Sequence, residues 1–203
     1  MELFFNESRH LNNSTFASSK SDIGAKDLVI YLPSNLIFPK ELNVKKITSA
    51  DDMLKEVKKS LPVGLAVCAA AVTDFKPAEK NKNKIKKENI KLNKINFIKN
   101  VDILEYISKN NKHRPHLVAG FSAETENLIK NSINKMKRKH CDIIFANNVS
   151  QKDIGFSSDY NKVSIIDKTG NIKVIQKNKK SFIANKIAEI LLDRLLINDK
   201  DIN

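Results

Sequence analysis

The chain has 203 residues, 41% hydrophobic and 29% charged with a net charge of +13, which fits one globular domain with a sizeable core and excludes a disordered class. No apolar stretch approaches the roughly 18 residues needed to span a bilayer, and residues 1–20 lack a basic segment followed by an apolar one, so neither a membrane helix nor a secretory signal is expected. Cys68 and Cys141 each lie in or beside an apolar run and read as buried, reduced thiols of a cytoplasmic protein; two widely separated cysteines and four scattered histidines do not form the paired ligand spacing of a structural zinc site.

In chain order, residues 1–23 are polar and aperiodic and read as a poorly ordered tail, leaving residues 24–203 as the domain. Residues 26–32 form a short apolar strand stopped by Pro33-Ser34-Asn35. Thr48-Ser49-Ala50-Asp51-Asp52 opens a helix that carries Met53, Leu54, Val57 and Leu61 at helical spacing. GLAVCAAAV, residues 64–72, fits a strand buried on both faces of a parallel sheet. Residues 76–99 have no core periodicity and read as a mobile loop or hairpin. Asn100 is placed to cap a helix through Asp102, Ile103, Leu104 and Ile107. HLVAGF, residues 116–121, is a second buried strand, followed by a helix from about Ser122 that carries Leu128, Ile129, Ile133 and Met136. DIIFA, residues 142–146, is a third. Residues 162–167 and 171–176 flank Lys168-Thr169-Gly170 as an antiparallel hairpin, and an amphipathic helix runs from about Lys180 to Leu196. Alternation of apolar strands with helices predicts a doubly wound, Rossmann-like α/β fold of three layers, with the hairpin at one edge.

Such sheets bind ligands beyond the carboxyl ends of their strands, which directs attention to residues 70–74, 120–125 and 146–150. Ala69 to Ala71 would let a ligand approach the backbone, and Asp74 could bind ribose hydroxyls or a metal. Tight packing and a capped turn would explain the same residues. Phe121 could lie against a base or sit in the core. The charge is concentrated in two places: residues 76–99 hold nine lysines and two glutamates, a net +7, and residues 130–139 hold four lysines and one arginine without an acid, a net +5. Focused charge of this kind suits an anionic ligand, although two solvated lysine-rich surfaces would give the same pattern. Lys135 and Lys139 share a helix face and could reach a polyphosphate, the alternative being an exposed cationic face. Lys84, on the expected loop, could neutralise charge on a reacting phosphoryl centre or belong to a solvated run. A basic nucleic-acid module is disfavoured by 6% aromatic content, only four arginines and no basic–aromatic interleaving.

Taken in order, AAAVTDFKP, EKNKNKIKK, KNVDIL, VAGFSAET, DIIFANNVS and GFSSDYNKVSII resemble the phosphopantothenate–cysteine ligase domain, usually the C-terminal half of a bacterial bifunctional flavoprotein of coenzyme A biosynthesis. The resemblance runs from about residue 24 to residue 203. It implies CTP-dependent ligation of 4′-phosphopantothenate and cysteine through an acyl-cytidylate, with Mg²⁺ accompanying CTP, in a cytoplasmic homodimer. The FMN-binding decarboxylase half of the family is not expected within this chain; a separate flavoprotein decarboxylase is the corresponding partner. Carried over by position, Cys68, Ala69, Ala70 and Asp74 match nucleotide contacts, as do Val101, Asp102, Ile103 and Leu104, where the family more often has proline first. Phe121, Lys135 and Lys139 match the rest of the nucleotide site, and Lys84 matches a catalytic flap lysine. The asparagine- and glycine-rich segment that opens the family's domain has no counterpart in residues 1–24, so the resemblance implies a ligase domain without its first β–α unit. A catalytically impaired fragment that keeps nucleotide binding or association is the alternative expectation.

Overall fold

The computed structural model describes residues 29–33, 43–79, 95–150, 154 and 158–200. In chain order its elements are β1 (Val29–Pro33), β2 (Asn43–Ile47), α1 (Ala50–Ser60), β3 (Leu65–Cys68), β4 (Phe75–Pro77), β5 (Phe97–Lys99) and α2 (Ile103–Ser108), then β6 (Leu117–Glu124), α3 (Leu128–Lys139), β7 (Ile143–Asn148), β8 (Tyr160–Asp167), β9 (Ile172–Lys179) and α4 (Lys180–Lys200). The main sheet has the order β3-β6-β7-β8-β9, parallel from β3 to β7 and antiparallel beyond. The strands β1 and β2 form a separate parallel pair, and β4 and β5 a short antiparallel ribbon.

Alternation along the central strands sends successive side chains to opposite faces. Val118, Ile144, Ala146 and Ile166 face α1, α2 and α3, where Val57, Ile103, Leu104, Ile107 and Met136 close the core. Leu117, Ala119, Ile143, Phe145, Val163 and Ile165 face α4, which supplies Ile183, Ile187, Leu191 and Leu195. The result is the expected three-layer α/β arrangement. The outer strand β9 carries exposed Lys173, Lys177 and Lys179, a composition that discourages edge-to-edge pairing.

Two buried carboxylates fasten the end of the sheet away from the candidate site. Asp142 Oδ2 accepts from the Val118 amide at 2.8 Å and from Arg114 Nη2 at 2.9 Å. The same guanidinium donates to the carbonyls of Ser108, Pro115 and His140, so it caps the last residue of α2 and the residue that ends α3. Asp167 Oδ1 accepts from the Thr169 hydroxyl and from the Thr169 and Asn171 amides in the β8–β9 turn, while its Oδ2 accepts from Arg194 Nη2 of α4 at 2.6 Å. Gly170, at φ +89°, occupies the left-handed position of that turn, which glycine adopts without steric cost.

Several local expectations are corrected. The strand within residues 64–72 is shorter than expected, Leu65–Cys68, and borders the main sheet among the described residues, so Val67 is 41% exposed rather than buried. Its pairing with β6 ends at Cys68–Gly120, and the chain then leaves the sheet toward β4. The helix expected from Ser122 begins at Leu128 instead. Residues 122–124 continue β6 because Ser122, Ala123 and Glu124 pair with Ala146, Asn147 and Asn148. Asp102, not Asn100, caps α2, its Oδ1 accepting from the Glu105 amide at 2.8 Å; Asn100 Nδ2 instead donates to the Thr73 carbonyl. The ends of the expected 76–99 loop are β4 and β5, and residues 80–94, with Lys84, lie outside the described residues, as does the 1–23 tail. The strand β2 was not foreseen, because NVKKI shows neither an apolar run nor sustained alternation.

Candidate functional site

The carboxyl ends of β3 and β6 and the start of α2 converge with the inner face of α3. Cys68 closes β3 opposite Gly120 of β6. A Cβ added at Gly120 would lie 2.7 Å from Leu104 Cδ2 and 3.8 Å from Cys141 Sγ, so the missing side chain is what allows α2 to approach the strand so closely. Beyond Cys68, Ala69 is half-buried, while Ala70 and Asp74 are exposed. Asn100 ties this turn to the next one: its amide donates to the Asp74 carbonyl at 2.8 Å and its Nδ2 to the Thr73 carbonyl at 2.8 Å.

The residues 101–104 divide by role. Val101 is exposed, Asp102 caps α2, and the side chains of Ile103 and Leu104 are core residues. Any ligand contact by the last two therefore falls to the backbone. The Phe121 ring packs against Phe145, with centroids 5.2 Å apart, on the α4 side of the sheet. Its carbonyl turns toward α3.

The two lysines singled out by helical spacing come together here, and neither belongs to an exposed cationic face. Lys135 is half-buried and its Nζ donates to the Phe121 carbonyl at 2.7 Å. Burial lowers its pKa, against the raising influence of Glu124 and Asp102. Lys139 is buried, with Nζ 2.5 Å from Asp102 Oδ2 and 3.2 Å from Glu105 Oε2. Glu105 also accepts from Lys109 at 2.6 Å; hydrogen bonds from Lys109 and then Lys139 hold its carboxyl down to about 2. Asp102 thus divides its oxygens, one for the Glu105 amide of α2 and one for Lys139.

Sequence reasoning stopped one residue short of this arrangement. Glu105 and Lys109, an i,i+4 pair on α2, join Val101, Asp102, Tyr106 and Asn110 in lining an open cleft of about 470 Å³. Their spacing was a usable signal. The two thiols are free and poorly reactive: burial, followed by the influence of Cys141 and Asp102, pushes Cys68 up to about 12, and burial pushes Cys141 up to about 11. Among the described residues no group of three or more histidine, cysteine or carboxylate side chains could hold a metal ion, and no helix is long and apolar enough to cross a membrane.

Residues 6–195 match the family model of the DNA/pantothenate metabolism flavoprotein C-terminal domain. The chain belongs to this family. It is 37% identical over 190 residues to the coenzyme A biosynthesis bifunctional protein CoaBC of Borreliella burgdorferi, covering 93% of this chain and 47% of that protein. With the CoaBC protein of Haemophilus influenzae it shares 34% identity over 169 residues, covering 83% of this chain and 42% of that protein. The chain therefore spans about half the length of these curated relatives. A crystal structure of the C-terminal domain of CoaBC superposes with a TM-score of 0.66 at 25% identity, covering 89% of this chain and 80% of that one. The flavoprotein C-terminal domain family thus accounts for both the order of the motifs and the sheet they build.

Proposed function

We propose that this chain acts in coenzyme A biosynthesis as a phosphopantothenate–cysteine ligase that uses CTP. What carries the reading is the pair Lys135 and Lys139, turned inward onto the Phe121 carbonyl of β6 and the Asp102 turn, near the side of a parallel sheet that receives a ligand. Two lysines directed into a fold suit a compact polyanion such as a triphosphate; a nucleic-acid interface would display them outward. The family membership and the CoaBC relatives point to the same pathway.

In this reading the phosphopantothenate carboxylate attacks the α-phosphorus of CTP and pyrophosphate leaves. The cysteine amino group then attacks the resulting acyl carbon and CMP leaves. Activation is needed because a carboxylate oxygen is a poor leaving group until it is esterified to phosphate. Lys135 and Lys139 serve the triphosphate, the exposed Asp74 is available to ribose hydroxyls, and backbone groups at Ala69, Ala70 and residues 101–104 orient the nucleotide. Lys84 neutralises charge developing on the transferred group. The Asp102 carboxylate is engaged by the Glu105 amide and Lys139, and the Glu105 carboxylate by Lys109 and Lys139, so Mg²⁺ enters on the triphosphate it accompanies, as is common for that ion. A cytoplasmic homodimer, with a flavoprotein decarboxylase as its partner activity, completes the proposal.

The test is calorimetric titration of the chain with CTP, ATP and CMP, together with pyrophosphate release from CTP that depends on phosphopantothenate. CTP bound in preference to ATP supports the reading. No measurable CTP binding at millimolar concentration overturns it.

A further inference from the structure

The ammonium of Lys139 already has negative partners: Asp102 Oδ2 at 2.5 Å and Glu105 Oε2 at 3.2 Å. The two carboxylates are not equivalent. Asp102 is fixed by its second task, capping α2 through Oδ1. Glu105 is the farther partner, is one-third exposed at its side chain, and is shared with Lys109, which holds its other oxygen at 2.6 Å. The four side chains Asp102, Glu105, Lys109 and Lys139 sum to zero charge, so a residue from a strongly basic segment offers little free positive field in this state.

We propose that Glu105 is a positioning residue that restrains Lys139 and thereby sets how strongly the site holds a phosphate chain, with Lys109 tuning that restraint by competing for Glu105. This rests on the reading that Lys139 serves the polyphosphate. A phosphate that draws on Lys139 must loosen it from Glu105 and must approach a carboxylate of its own sign. Both costs grow with the charge of the ligand and vanish for an uncharged nucleoside. Lys109 works in the opposite sense: by occupying Glu105 it weakens the hold on Lys139. The restraint therefore acts on nucleotides according to their phosphate number and leaves base recognition untouched.

The experiment is calorimetric titration of the intact chain with CTP, CMP and cytidine, using Glu105→Gln, Lys109→Gln and the double variant. Glu105→Gln is expected to tighten CTP roughly three- to tenfold, CMP less, and cytidine not at all. Lys109→Gln is expected to weaken CTP two- to threefold in the wild-type background and much less in the Glu105→Gln background, because its effect passes through Glu105. A Glu105→Gln protein that binds CTP unchanged or more weakly, while its thermal unfolding matches the wild type, overturns the proposal; so does an undiminished Lys109 effect in the double variant. Should Glu105→Gln unfold, Glu105→Asp gives the same comparison, since the shorter side chain withdraws from Lys139 and keeps the charge. It should tighten CTP by a smaller factor, and no gain would count against the restraint. If wild type binds CTP no better than cytidine, the failure lies with the polyphosphate reading itself; if it discriminates normally and the variants do not move, only the restraint is wrong.

Discussion

Gly120 and Leu104 meet so closely that a single added methyl at Gly120 would stand 2.7 Å from Leu104 Cδ2. Gly120→Ala should therefore shift α2 outward or force Leu104 from its rotamer, at a cost of about 1–3 kcal/mol in stability. Because Val101 and Asp102 precede the same helix, CTP affinity should fall with it. Chemical denaturation alongside calorimetry checks both. A variant with normal stability and normal binding would show that the contact relaxes freely.

Lys135→Ala should weaken CTP by about tenfold and CMP distinctly less, because a lysine that serves the outer phosphates matters little once they are removed. Equal losses for the two nucleotides would assign Lys135 to the base or ribose instead. Its existing bond to the Phe121 carbonyl makes a small stability loss the expected side effect.

Arg194 and Asp167 join α4 to the β8–β9 turn. Burial alone would raise the Asp167 pKa; hydrogen bonds from Thr169, Arg194 and the Asn171 amide more than offset it and leave it below the ordinary carboxylate range. A carboxyl depressed in the folded state contributes stability above its unfolded pKa, about 3.9, and that contribution is lost as pH falls through the folded value. Arg194→Met should cost about 1.5–3 kcal/mol at neutral pH and flatten the loss of stability below about pH 4. Urea unfolding midpoints between pH 2 and pH 7 measure this directly.

Alkylation of the native thiols at pH 8 should be at least about a hundredfold slower than in the denaturant-unfolded chain, as expected for groups whose thiolate forms are suppressed by burial. CTP should slow the labelling of Cys68 further, since that residue closes β3 at the candidate site. Peptide mapping by mass spectrometry separates the two positions. Faster labelling of Cys68 with CTP bound would place the nucleotide elsewhere.

Lys84→Gln should remove phosphopantothenate-dependent pyrophosphate release while calorimetric CTP binding persists, if this lysine serves the transferred group rather than the resting nucleotide. Loss of binding and turnover in equal measure would make it a ground-state contact.

The two central parallel strands β6 and β7 were legible because Leu117 to Gly120 and Ile143 to Ala146 are apolar without interruption, a composition that few environments other than a covered parallel sheet accept. The β8–β9 hairpin announced itself through Lys168-Thr169-Gly170. What composition alone could not show was partnership across long separations. Ser122 to Glu124 look like a helix start, and only their pairing with Ala146 to Asn148 keeps them extended. Asn100 has the chemistry of a cap, yet the Thr73 carbonyl, 27 residues away, claims its amide. The lysines at 135 and 139 were found by spacing, whereas their acceptors at Asp102 and Glu105 depend on how α2 lies against α3.

Fastening at both ends makes α2 a stiff wall. The Asp102–Lys139 pair holds its first turn to α3, and Arg114, bonded to the carbonyls of Ser108 and His140, holds its last residue to the same region of α3. A six-residue helix with two such anchors cannot swing as a unit without breaking one of them. Adjustment on this side of the cleft is therefore confined to side-chain rotation, which takes picoseconds to nanoseconds when exposed, and the wall itself should impose no slow conformational step on nucleotide arrival.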